Sequence, residues 1–147
     1  MRAAHGVLGD LLYARGDFAE AAECYSRAAD ASIAGRLNAA KALAAGNNHE
    51  AAAAALQRLL ARDPNHFSAL WTLGYILMFL GRFEEALPRL EKACALAPDA
   101  VGPFYNLIAS KRVTESDRGR AHDNAVGARS ARTRCAHHGS LRARQSV

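Results

Sequence analysis

Residues 67–100, FSALWTLGYILMFLGRFEEALPRLEKACALAPDA, are the stretch that decides the fold. They contain two segments in which apolar residues recur every three or four positions, which is the spacing of one face of an α-helix. Gly81 stands between the segments, where a helix C-terminal cap needs a left-handed backbone that glycine adopts without a Cβ penalty. The stretch therefore predicts two amphipathic helices that fold back antiparallel.

The same pattern recurs 34 residues earlier in the chain. The matched pairs are Pro98 with Pro64, Leu90 with Leu56, Ala86 with Ala52, Leu77 with Leu43 and Gly81 with Asn47. Asn is the next-best residue for a left-handed cap, so the last pair preserves the turn. A third copy contains Gly16-Asp17-Phe18, which repeats Gly81-Arg82-Phe83. Since one hairpin cannot bury both of its faces, stacked copies are expected.

The period, the helix-turn-helix pattern and a set of apolar and turn residues resemble the tetratricopeptide repeat family. These residues are Leu73-Gly74, Leu77, Ala86, Leu90 and Pro98. Three units match, roughly residues 2–32, 33–66 and 67–100, and residues 101–112 resemble one more first helix. The resemblance implies an all-α fold, a right-handed α-solenoid of helix-turn-helix repeats.

The composition changes after the repeats, so we expect residues 1–112 to form three hairpins plus one helix and residues 113–147 to form a tail. From Lys111 onward there are nine Lys or Arg against three acids, whereas the first 110 residues hold ten against eleven. The tail has few large apolar residues and is predicted to be disordered or only marginally helical. The fourth unit would then lack its second helix and expose Phe104, Leu107 and Ile108, which predicts self-association through this end unless the tail covers it.

In the tetratricopeptide repeat family the first helices of successive units line a concave groove that holds a peptide. Carried over position by position, this resemblance assigns groove residues to every unit. They are Asp10 and Tyr13, then Leu37 and Lys41, then Trp71, Tyr75, Met78 and Phe79, and finally Tyr105, with Gly6, Ala44 and Ala109 beside them. Aromatic residues and Met suit an adaptable binding surface. The alternative is that Trp71, Met78 and Phe79 are packed between units.

Some members of the family bind the C-terminal carboxylate of chaperone tails through a clamp of Lys and Asn. Here Gly6 and Asp10 occupy the clamp positions of the first unit, and Ser68 and Thr72 occupy those of the third. Only Asn38 matches the clamp. We therefore expect a partner with apolar anchors, such as an amphipathic helix or a Leu-rich peptide, rather than capture of a carboxylate.

Residue spacing gives little support for catalysis. None of the six His stands with a nucleophile and a carboxylate at a spacing that one helix face would bring together. No glycine-rich phosphate-binding motif occurs in the sequence. The sequence thus predicts a non-enzymatic protein-binding module without a cofactor or a metal. The absence of a signal-like or membrane-spanning apolar run predicts a cytoplasmic protein that does not enter the membrane.

Two alternative functions stay open at this point. The tail could bind nucleic acid through Arg129, Arg132, Arg134, Arg142 and Arg144. Without aromatic residues for base stacking, such binding would be unspecific, so a nucleic-acid partner is not favoured. The chain could also be the N-terminal fragment of a larger enzyme, since residues 106–117 faintly resemble the segment that connects such repeats to a bacterial sulfotransferase.

Overall fold

A computed structural model describes the backbone of residues 2–28 and 32–145 and the side chains of residues 3–28 and 32–126. These residues form α-helices and contain no strand. The helices are α1 (Arg2–Arg15), α2 (Phe18–Ala28), α3 (Ile33–Ala45), α4 (His49–Arg62), α5 (Phe67–Phe79), α6 (Phe83–Leu96) and α7 (Val101–Gln145). The first six helices pair as α1 with α2, α3 with α4 and α5 with α6, which confirms the predicted hairpins.

Each hairpin turns at a residue with a left-handed backbone. The φ angles are 90° at Gly16, 62° at Asn47 and 74° at Gly81. In every turn the following residue donates its N–H to a carbonyl five positions earlier in the first helix. These bonds are Asp17 to Leu12 at 2.9 Å, Asn48 to Leu43 at 2.9 Å and Arg82 to Leu77 at 2.8 Å. The prediction that Gly81 and Asn47 cap their helices in this conformation is confirmed.

Apolar residues from both helices of each hairpin meet in a core that is continuous through the second and third hairpins. In the third hairpin the paired helices approach closely at Gly74, where an added Cβ would lie 2.6 Å from Cδ2 of Leu90. In the first hairpin Gly9 faces the ring of Tyr25 in the same way, at 2.7 Å. Glycine is needed at these two places because the neighbouring side chain occupies the space of a Cβ.

The chain divides into two units, Met1–Lys111 and Arg112–Val147. The seventh helix differs from the prediction, because α7 does not end near Arg112 but continues to Gln145. Ala and Arg, both good helix formers, are frequent in this segment, and no Pro follows Pro103 to stop the helix. Disorder of residues 113–147 in solution stays a prediction, and their side chains from residue 127 onward lie outside the described part.

Over the described ranges, no helix carries an apolar stretch of the length that crossing a membrane requires. The cytoplasmic location stays a prediction.

Candidate functional site

Residues from α3, α5 and α7 line one open cavity of about 620 Å³. Four of the predicted groove residues meet there: Lys41 from α3, Trp71 and Tyr75 from α5, and Tyr105 from α7. The other residues that line it are Ser68, Thr72, Val101, Gly102 and Asn106. We call this cavity the aromatic groove.

Helical spacing explains why these side chains share a surface. Trp71 and Tyr75 are four residues apart on α5, and Val101 and Tyr105 are four residues apart on α7, so each pair lies on one face of its helix. The rings remain accessible to solvent, with exposed fractions of 37% for Trp71, 48% for Tyr75 and 72% for Tyr105. Exposed aromatic side chains that line a common cavity form a surface suited to apolar contact with a partner.

The indole of Trp71 is held in place by a glycine that sequence reasoning missed. A Cβ added at Gly102 would lie 2.4 Å from Cζ2 of Trp71, so the indole rests directly on the backbone of α7. Phe67 flanks the indole on its own helix, with ring centroids 6.0 Å apart. Trp71 therefore packs between helices and also lines the groove. The only signal in the sequence is the position of Gly102, a poor helix former at the start of a predicted helix.

The remaining predicted residues of the second and third units lie outside the cavity lining. Leu37 is 8% exposed and belongs to the core, so its assignment to the groove surface is wrong. Its helix packs against α4 and α5, and Leu37 joins the apolar core that these helices share. Met78 is half-buried against the core. Phe79 is exposed and contacts two rings, Tyr75 at 5.5 Å and His49 at 5.1 Å between centroids.

The predicted residues of the first unit are engaged locally. The hydroxyl of Tyr25 donates to Oδ1 of Asp10 at 2.6 Å. Burial and, after it, the hydrogen bond to Asp10 together raise the pKa of Tyr25 to about 12. Asp10 lines a separate cavity of about 330 Å³, together with Gly6 and Asn38. Tyr13 packs edge-on against Phe18 at 5.2 Å. Neither Asp10 nor Tyr13 lines the aromatic groove.

The aromatic groove carries one positive charge. Lys41 is the cation and no acid stands among its lining residues. Thr72 donates its hydroxyl to the carbonyl of Ser68 at 2.6 Å, so the third unit offers neutral groups at the clamp positions. Within the described side chains, no three His, Cys, Asp or Glu come together as metal ligands. The arginines that would bind nucleic acid, from Arg129 onward, have side chains outside the described part.

Comparisons with known proteins agree with this architecture. The sequence model described as tetratricopeptide repeat matches residues 1–35 and 37–101. A comparison with curated protein sequences gave no match.

Several solved structures are similar to this chain. The tetratricopeptide repeat domain of Sgt2 from Aspergillus fumigatus is 24% identical with a TM-score of 0.73, over 81% of this chain and 83% of that one. MamA from Desulfovibrio magneticus RS-1 is 24% identical with a TM-score of 0.73, and the match covers 78% of this chain and 67% of that one. The second such domain of human RPAP3, in complex with an HSP70 peptide, is 23% identical with a TM-score of 0.67, over 76% and 98%. The fold is thus an all-α solenoid of helical repeats, and the chain belongs to the tetratricopeptide repeat family.

Proposed function

We propose that this chain is a non-enzymatic interaction module that binds a peptide or helix with apolar anchors in the aromatic groove. One observation carries the proposal: Trp71, Tyr75 and Tyr105 line a single open cavity while their rings stay exposed. Large aromatic side chains dominate the energetics of many protein interfaces, because they bury much area with few rotatable bonds. Burying an apolar anchor of the partner against them would contribute about 1.5–3 kcal/mol for each side chain of Leu or Phe size.

The single positive charge of the groove limits how many acidic residues a partner can carry there. Lys41 stands at a cavity whose other lining residues are neutral. A partner with one acidic residue beside its apolar anchors would pair with this ammonium group, whereas a cluster of acids would lack cations to meet it. We therefore propose an amphipathic helix or Leu-rich peptide that carries an isolated acid.

Peptide binding by similar domains supports the proposed role but not the same ligand. The second domain of RPAP3 was solved with the HSP70 peptide SGPTIEEVD, and the first such domain of Spaghetti (RPAP3) with the HSP90 peptide SRMEEVD. Both peptides end in Glu-Glu-Val-Asp, so three side-chain carboxylates and the terminal carboxylate lie close together. The aromatic groove offers a single Lys. We propose that apolar anchors replace carboxylate capture here.

The experiment is a peptide display selection on the full chain, followed by affinity measurements on variants. The chain has one Trp, so the fluorescence of Trp71 reports directly on occupation of the groove in the wild type. Trp71→Ala and Tyr75→Ala are each expected to weaken the selected peptides by tenfold or more, measured by calorimetry, with helix content unchanged.

Phe104→Ala supplies the matched control. Phe104 precedes Tyr105 on the same helix and is 55% exposed, but it does not line the groove. Phe104→Ala should leave the affinity for the selected peptides unchanged, whereas Tyr105→Ala should lower this affinity. Selected peptides that bind Trp71→Ala and Tyr75→Ala as tightly as the wild type would move the binding site away from this groove.

A further inference from the structure

A second cavity, of about 500 Å³, lies between α2, α3 and α4 and is lined by three arginines. Arg36 comes from α3, and Arg58 and Arg62 come from α4. The other residues that line it are Ser26, Ala39, Ala55, Leu59 and Ala61. We call it the arginine cavity. It shares no lining residue with the aromatic groove, and among the residues whose side chains the structure describes, no acid lines it.

The cavity lies where the second unit has smaller or charged residues than the third unit. In the third unit, 34 residues later, Arg36 and Ala39 are replaced by Leu70 and Leu73. Both leucines are buried, with exposed fractions of 1% and 0%, and they belong to the core. In the second unit Ala39 is too short to fill the volume that Leu73 fills in the third unit. Arg36, at the position of Leu70, places a charge beside this volume. The unit thus has a charged cavity at positions that its neighbour fills with core leucines.

The arrangement of charge favours an anion. Arg58 and Arg62 are four residues apart on α4, so they lie on one helix face, and both are exposed to solvent. Arg36 is half-buried and adds a third guanidinium from the neighbouring helix. The two exposed cations Arg58 and Arg62, one helical turn apart, repel one another, and an anion bound between them removes this repulsion.

Phosphate matches this site better than a carboxylate does. A phosphomonoester carries a charge of about −1.5 to −2 near pH 7 and three acceptor oxygens, and the planar guanidinium group binds phosphate oxygens in a two-pronged geometry. The walls formed by Ala39, Ala55 and Leu59 are apolar, so they suit a hydrocarbon or aromatic stem behind the phosphate. We propose that the arginine cavity binds a phosphomonoester carried on an apolar group, with the phosphoryl oxygens on the arginines and the stem on the alanine-rich wall.

The test is a titration of the isotope-labelled full chain with phenyl phosphate, followed by amide NMR. Saturable shifts are expected for amides of α3 and α4 around the cavity, and the affinity should fall as salt is raised. Inorganic phosphate, which lacks the ring, should bind more weakly at the same place. Phenol, which lacks the charge, should not shift these amides.

Variants of the exposed arginines decide whether the cavity is the site. Arg58→Gln and Arg62→Gln are each expected to weaken phenyl phosphate by about tenfold or more, because each removes a charge-assisted hydrogen bond. Lys92→Gln is the matched control, since Lys92 occupies the position of Arg58 in the third unit, where leucines fill the core. It should leave the affinity unchanged.

Two results would overturn the proposal. The first is an equal loss of affinity in Lys92→Gln and Arg58→Gln, which would mean diffuse attraction to a basic chain. The second is an equal response to phenol and phenyl phosphate. A peptide that carries phosphotyrosine identifies the source: tighter binding than phenyl phosphate supports a phosphorylated protein partner, and equal binding supports a small phosphorylated molecule.

Discussion

Replacement of Gly74 by Ala tests the packing of the third hairpin. A Cβ at this position would lie 2.6 Å from Cδ2 and 2.7 Å from Cγ of Leu90. Leu90 is fully buried in the core, so it has no solvent-facing space to move into. The shorter contacts include Cγ, which is the branch point of the side chain rather than its flexible tip. The substitution therefore forces the two helices or the Leu90 rotamer to shift.

The sign of the effect follows from two opposing magnitudes. Ala is the better helix former by about 0.8–1 kcal/mol, which favours the variant. Overpacking of a well-packed core costs about 1–3 kcal/mol, and the blocked position of Leu90 places this cost in the upper part of that range. We expect Gly74→Ala to lower the free energy of unfolding by about 1–2 kcal/mol. Gly6→Ala in α1 is the control, because no atom lies within 4 Å of its added Cβ. It should raise the free energy by up to about 1 kcal/mol.

The assay is urea unfolding of four chains: wild type, Gly74→Ala, Leu90→Ala and the double variant. Leu90→Ala alone should cost about 2–5 kcal/mol, since it empties a buried site. It also removes the atoms that obstruct the new methyl group. In the Leu90→Ala background, Gly74→Ala should therefore become stabilising by about 1 kcal/mol. An equal destabilisation by Gly74→Ala in both backgrounds, or a gain like that of Gly6→Ala in the wild type, would refute the reasoning.

Three further predictions concern other parts of the chain. Tyr25 has a pKa raised from 10.0 to about 12, first by burial and then by the hydrogen bond to Asp10. The contribution of the neutral Tyr25 side chain to the free energy of unfolding is complete below pH 10 and is lost as the pH rises toward 12. In denaturant titrations at several pH values, Tyr25→Phe should not show this loss. Ser32→Ala should cost about 1 kcal/mol in a urea titration, because the Ser32 hydroxyl accepts from the Gly35 amide at 3.0 Å. If the exposed face of α7 mediates self-association, Ile108→Asp should abolish concentration-dependent sedimentation, while wild type that stays monomeric at all concentrations contradicts such association.

The helical hairpins could be predicted from the sequence because their signals are local and repeated. Gly16, Asn47 and Gly81 each follow an apolar helical stretch, and the left-handed conformation that their residue types favour is present at all three. The 34-residue period then fixes which residues occupy equivalent positions. No single residue decided the fold, since the turns, the periodicity and the apolar spacing all indicated the same architecture.

The candidate site could be predicted only in part. Lys41, Trp71, Tyr75 and Tyr105 do line one cavity, because helix geometry places equivalent positions on the same side of successive first helices. The hydrogen bond between Asp10 and Tyr25 was not foreseen, since it joins a first helix to a second helix and depends on the close approach at Gly9. Contacts of this kind depend on distances between helices, which the period does not give.

One difference between the second and third units places Trp71 in the groove and Arg36 in the arginine cavity. In the third unit Leu70 is buried and Trp71, the next residue, is exposed toward the groove. In the second unit the order is reversed, because Leu37 is buried and the preceding Arg36 lines the arginine cavity. The large buried side chain has thus moved by one position, which is about 100° around the helix.

This shift explains why the assignment of Leu37 by its position in the repeat was wrong. An assignment by repeat position supposes that equivalent residues face the same way. A core can instead be filled by any large apolar side chain that reaches it, even from the next position along the helix. Because the second unit buries Leu37 at the position of Trp71, it exposes no aromatic side chain to the groove there. It also leaves a cavity beside Arg36 and Ala39. We therefore expect ligands of this chain to bind where one repeat departs from the next, at surfaces that a regular array of the same repeats would lack.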